Sequence, residues 1–145
     1  LVHDEVERPV MGQIPPNDWG FRLAPNPVRT WLDRGARWSA HTPLGWPVWW
    51  MALAIGLLVV APGLPSRRLV IPLALSGLLY GLGYLPASVA CELRYHLWTM
   101  LAVLIAALIA ASDMAGGTMP DRRRLLLAAA PVLLVTILCV AWRLA

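Results

Sequence analysis

The stretch LLLAAAPVLLVTILCVAW, residues 125–142, contains no Asp, Glu, Lys or Arg, and three further stretches, 38–66, 69–91 and 95–112, share that property. A bilayer's hydrocarbon core is ~30 Å thick and takes ~20 apolar helical residues to cross, a length that soluble domains rarely reach without a solvated charge. The four runs predict an all-α membrane protein with about four transmembrane helices, over about 46–63, 69–85, 96–112 and 125–142. A buried soluble helical bundle is the other reading of the same runs. Composition favours the membrane: 59% of residues are hydrophobic and 14% charged, against ~25% charged in ordinary globular domains. Mean hydropathy is +0.63.

Every one of the 12 basic residues is Arg. With the abundance of Ala, Leu, Pro and Trp, this composition suggests a GC-rich bacterial gene. The chain starts at Leu1 and runs straight into a charged, proline-rich segment with no signal-peptide pattern. A processed product or a C-terminal fragment is expected.

Residues 1–37 balance their acids and arginines, so the net charge of +4 belongs to the membrane half. It concentrates at Arg67 and Arg68, between spans one and two, and at Arg122, Arg123 and Arg124, between spans three and four. Arginines in short loops stay on the cytoplasmic side. These loops are therefore placed inside, and Glu92, Arg94, the N-terminal segment and the C-terminus outside. Arg29, Arg34 and Arg37 argue for the opposite orientation, but long segments obey the rule weakly and Asp33 sits among them.

Residues 1–43 read as an extracytoplasmic arm. Pro15, Pro16, Pro25 and Pro27 interrupt helix propagation there, and Asn26 followed by Pro27 can start a helix. Over 27–38, Val28, Trp31, Leu32 and Gly35 share one face and arginines mostly the other, a pattern for a short interfacial helix. An ordinary amphipathic helix packed on a soluble segment fits too. Residues 44–145 form the four-span region, with apolar cores at 48–61, 70–84, 97–111 and 125–140. Pro72 is expected in the first turn of its span, where it costs little, and Pro131 is expected to bend the fourth.

Gly77 and Gly81 form a GxxxG pair, and Ala102, Ala106 and Ala110 make a small-residue stripe. Both permit close helix approach in lipid. Trp38, Trp46, Trp49, Trp50, Trp98 and Trp142 all fall toward the outer interface, where an aromatic belt turns indole N–H groups to headgroups or water. A sugar-stacking platform is the sharper alternative.

The most polar site beside the spans is Cys91, Glu92, Leu93, Arg94, Tyr95 and His96. On a helix, Glu92 and His96 share one face while Arg94, pointing away, can grip a phosphate or carboxylate. A helix end at the headgroup layer, with Arg94 snorkelling to lipid phosphate, explains the same residues. His3, His41 and His96 lack metal-ligand spacing, and no soluble-enzyme motif is present. Cys91 and Cys139 lie toward the same side, but two cysteines do not define a bridge. Arg122 to Arg124 can touch anionic lipid, though their topogenic role suffices.

An acid followed by Arg94-Tyr95 and a Leu- and Ala-rich span resembles the late membrane region of bacterial polytopic glycosyltransferases of the protein-mannosyltransferase-like class. Members often carry a proline two or three residues after Arg-Tyr, where this chain has Leu97 and Trp98. The resemblance implies the C-terminal membrane portion of an inner-membrane enzyme that moves sugar from a polyprenyl-phosphate donor. It implies a noncatalytic portion, because the catalytic acid of such enzymes lies in an early loop with no counterpart here. Glu92, Arg94, Tyr95 and His96 become candidate donor-binding residues. A noncatalytic four-helix membrane subunit is the alternative, and a transporter ranks third because the spans carry almost no polar residue. The expected partners are the bilayer, a polyprenyl-phosphate-sugar donor, and upstream spans or a partner subunit for helix packing. No cofactor, metal or nucleic acid is expected.

Overall fold

The computed structural model describes residues 27–84 and 96–144. These residues are helical, with no strand among them. The arm over 1–26, with Asn26, lies outside them, as do Cys91, Glu92, Arg94 and Tyr95. By internal packing the chain divides into two units, Leu1–Arg37 and Trp38–Ala145. In the first, helix α1 (Pro27–Ala40) begins. Its apolar residues Val28, Trp31 and Leu32 are exposed.

The second unit holds four helices: α2 (Pro47–Val60), α3 (Arg67–Tyr84), α4 (Leu97–Ala115) and α5 (Arg122–Leu144). Of these, α4 and α5 are long and apolar enough to cross a membrane, and α2 with the 3-10 turn after it makes a shorter apolar helix, Pro47–Gly63. Pro47 occupies the first position of α2, where its missing N–H would have had no helical partner. The helix stops at Ala61-Pro62-Gly63, a 3-10 turn that redirects the chain toward α3.

One sequence expectation about prolines changes. Helix α3 starts at Arg67, because Ser66 accepts its first bonds from Leu69 (2.9 Å) and Val70 (3.1 Å). Pro72 therefore lies inside the helix rather than in its first turn, where it removes an N–H that would have bonded the Arg68 carbonyl. Around Pro131, α5 remains one continuous helix from Arg122 to Leu144.

Helix α4 runs past residue 112 to Ala115, since nothing in Ser112-Asp113-Met114 breaks it. It ends where Gly117 takes φ +95°, a left-handed conformation that disfavours any side chain. Gly117 N–H bonds the Met114 carbonyl and Thr118 N–H the Asp113 carbonyl, each at 3.1 Å. This pair of bonds is a Schellman motif.

Packing is pairwise and close. Helix α2 contacts α3, α4 and α5, and α3 contacts α4. The Gly77/Gly81 pair does what its spacing predicts: a methyl at Gly77 would meet Val103 Cγ2 at 2.9 Å and the Thr99 carbonyl at 3.2 Å. Ala102, Ala106 and Ala110 on the facing helix are fully buried. Thr99, also buried, donates its hydroxyl to the Gly77 carbonyl at 3.0 Å, spanning α4 to α3. The α2–α5 contact is closer still, for a methyl at Gly56 would stand 2.6 Å from the Ala128 carbonyl oxygen.

Three tryptophans of the expected belt donate their N–H groups to acceptors within the protein. Trp49 donates to Thr136 Oγ1 on α5 (3.2 Å), Trp50 to the Leu44 carbonyl (2.8 Å) and Trp98 to Ser76 Oγ on α3 (3.0 Å). Trp50 is buried and Trp49 half-buried, while Trp98 is 44% exposed. Trp38 and Trp142 are exposed, as a belt requires.

Candidate functional site

Among the four residues singled out as a donor-binding cluster, His96 is the one inside the described residues. It occupies the position before the first residue of α4, without a side-chain capping bond, and is 8% exposed. Its Nδ1 is buried and has no hydrogen-bond partner among the described residues. Buried polar atoms of this kind are uncommon and usually meet a partner, a water or a ligand. Where α3 ends, the Tyr84 ring lies 6.1 Å from the imidazole, edge to face. Tyr80 stacks one turn below at 4.9 Å, with the two phenol oxygens 3.5 Å apart. The structure thus brings His96 to two tyrosines that the sequence reading did not select. Their i, i+4 spacing on α3 was the available signal.

At the opposite end, where α2 meets α3 and α4 meets α5, a second constellation forms. Asp113 accepts the Ser66 backbone N–H at Oδ2 (2.9 Å) and the Ser66 hydroxyl at Oδ1 (3.0 Å). Its own carbonyl takes the Thr118 N–H. One residue therefore pins the start of α3 to the turn after α4. Sequence reading missed this role because Asp113 sits one residue beyond a charge-free run. A Pro-Ser step before Arg-Arg, a common helix-start pattern, was the signal on the partner side.

The clamp leaves Arg67, Arg68, Arg122, Arg123 and Arg124 gathered at this end. All five are exposed, and none forms an ion pair among the described residues. Arg124 Nη1 comes within 3.6 Å of the position a Gly63 Cβ would take, and Pro120 within 3.7 Å. The turns on either side of the clamp are thus in mutual contact. They frame an open cleft of about 520 Å³, lined by Gly63, Pro65, Arg67, Arg68 and Thr118 among others.

Between α2 and α5 lies a smaller groove of about 280 Å³ with almost wholly apolar walls, including Gly56, Ala128 and Val132. Cys139 is a free, half-buried thiol. Among the described residues no three His, Cys, Asp or Glu side chains converge where a metal ion could sit. No nucleophile is paired with a base there either. The two ends hold different groups: a histidine beside tyrosines, its Nδ1 without a partner among the described residues, and a cleft walled by arginines.

No protein family, curated protein or solved structure matches this chain.

Proposed function

We propose that this chain is a noncatalytic, four-span module of a bacterial inner membrane, with α2 to α5 crossing the bilayer and its binding energy spent on helix packing. The carrying observation is the close approach at Gly56, Gly77 and Gly81, combined with side-chain hydrogen bonds that run from helix to helix. Lipid offers no hydrophobic incentive for helices to associate, so small residues and internal hydrogen bonds take over that role. The arginine-bearing turns face the cytoplasm on this reading, and the His96 end and the N-terminal arm lie outside.

Membrane fractions of cells expressing the chain, with Cys91 and Cys139 replaced by Ser, test the topology. A cysteine at Met119 should be labelled by an impermeant maleimide only after the membrane is opened. Outside labelling at Met119, or release of the chain by alkaline carbonate, would overturn the reading.

The His96 Nδ1, buried and without a partner among the described residues, favours a second, narrower reading, in which the module belongs to a polyprenyl-phosphate-sugar-dependent transferase and its outer end meets the donor. Arg94 and Tyr95, with Glu92, would then flank the donor phosphate and His96 would donate or accept one hydrogen bond. Titrating a polyprenyl phosphate into the chain in nanodiscs should give saturable binding that H96A and R94A weaken. Absence of binding would leave the subunit reading alone.

A further inference from the structure

The five arginines at the clamped end have a topological role on the four-span reading, but that role needs only charge on the correct side. It does not call for a cleft. The structure builds one, with Arg67 and Arg68 on its wall, the Thr118 hydroxyl beside them and Arg124 reaching the neighbouring Gly63 turn. This end holds five arginines against the acids Asp113 and Asp121. The Asp113 carboxylate is already occupied at both oxygens by Ser66, and none of the guanidiniums is paired with an acid among the described residues.

We propose that this cleft binds the phosphate of an anionic phospholipid headgroup. A phosphodiester presents two unesterified oxygens that planar guanidinium forks match bidentately, and a hydroxyl donor at the rim can take a further oxygen. The Ser66–Asp113 clamp serves the site by holding the α2–α3 turn against the α4–α5 turn and by engaging the Asp113 carboxylate away from the arginines. The ligand comes from the leaflet and not from solution, because the cleft stands at the ends of α3, α4 and α5, at the level where headgroups lie if those helices span the bilayer. The proposal rests on the four-span reading in that respect.

Electron spin resonance with spin-labelled lipids tests it, using the full chain in phosphatidylcholine bilayers. Spin-labelled phosphatidylglycerol should associate with the protein several-fold more strongly than spin-labelled phosphatidylcholine. Each arginine near an anionic lipid surface is worth at most roughly fivefold in affinity, so the preference should fall toward unity in R67Q/R68Q. It should persist in R143Q, which removes a charge at the other end of α5, and it should shrink as salt rises.

Equal association of both lipids with the unaltered chain would overturn the proposal, as would a preference that R67Q/R68Q leaves intact. Saturable binding of inorganic phosphate to the chain in pure phosphatidylcholine nanodiscs, with no lipid preference, would show a site for a soluble anion and overturn it too. Carbonate extraction of the same samples separates these outcomes from a failure of the four-span reading, since a chain that does not insert is released.

Discussion

Gly56→Ala is the most informative single change in this bundle. The added methyl would stand 2.6 Å from the Ala128 oxygen, 3.3 Å from its carbonyl carbon and 3.6 Å from its Cα. All three are backbone atoms of α5, so no side-chain rotation relieves the clash. Ordinary contact begins near 3.4 Å, and α5 must therefore withdraw by about 0.8 Å. A gap of 0.5–1 Å forfeits roughly a quarter to a half of the dispersion energy at each atom pair it opens. Helix α2 is the main surface on which α5 packs, and no other large interface makes up the loss. Overpacking of this kind costs about 1–3 kcal/mol. Alanine's better helix propensity returns up to about 1 kcal/mol, judged from soluble helices. The reference is Gly83→Ala on α3, where a methyl meets nothing within 4 Å among the described residues. It gains propensity without a clash. SDS titration of the chain in lipid–detergent micelles, followed by helical circular dichroism, should place G56A about 2 kcal/mol below G83A. If the two variants unfold together, the close α2–α5 contact is not a source of stability and the packing argument fails.

Two further changes probe the internal polar contacts. Asp113→Ala should cost about 2–3 kcal/mol, because hydrogen bonds to a charged group are worth about 1.5–3 kcal/mol each and the two here share one half-buried acceptor. Amide exchange at Ser66 should accelerate in that variant, and unchanged exchange would refute the clamp. Trp49→Phe and Thr136→Val each remove one side of the 3.2 Å contact between α2 and α5, so the double variant should lose less than the singles combined. In membranes such coupling averages about 0.6 kcal/mol, and strict additivity would show that the bond carries no energy.

The helices themselves were legible because a charge-free run forms the body of each, with charges confined to their ends, and so was the convergence of the two arginine turns, which follows from an even alternation of direction. The Gly77/Gly81 contact was legible too, since a GxxxG pair presents two small residues on one face. Gly56 gave no such signal. A single glycine in an apolar run becomes a contact only when a distant backbone, Ala128, is brought against it. Asp113 lies just past a charge-free stretch, so it reads as a loop residue until the Schellman turn at Gly117 shows that the helix continues through it. The hydrogen-bond partners of the tryptophans were not legible for a related reason. Their position near helix ends is local, but whether an indole N–H turns to water or to Thr136 is decided by which helix stands alongside. Of the expected donor site, His96 lies among the described residues, and the Tyr84 ring beside it comes from the distant end of α3.

The distribution of side-chain size argues for lipid more strongly than helix length does. In a water-soluble bundle the large aliphatic residues fill the interior and polar ones cover the outside. Here the fully buried positions are mostly small: Ala54, Ala61, Ala74, Ala102, Ala106 and Ala110, with Thr99 among them. Trp50, Met51, Leu57 and Leu64 are buried beside them, but many of the large residues lie outside, as on α5, where Leu126 is 64% and Ile137 65% exposed. None of the apolar window of α5 is buried, although a soluble protein's core helix of that composition would be. Exposed to water, such a face would exceed the few hundred Å² of apolar patch that soluble monomers tolerate. The polar atoms run the other way: Thr99 bonds the Gly77 carbonyl, and Thr136 bonds the Val132 carbonyl within its own helix at 2.7 Å while accepting from Trp49. A bundle with small and polar groups inside and leucine outside is stable where the surroundings are themselves apolar. Among the described residues, the charged side chains Arg67, Arg68, Arg122, Arg123 and Arg124 are set apart from that apolar exterior, at the helix ends.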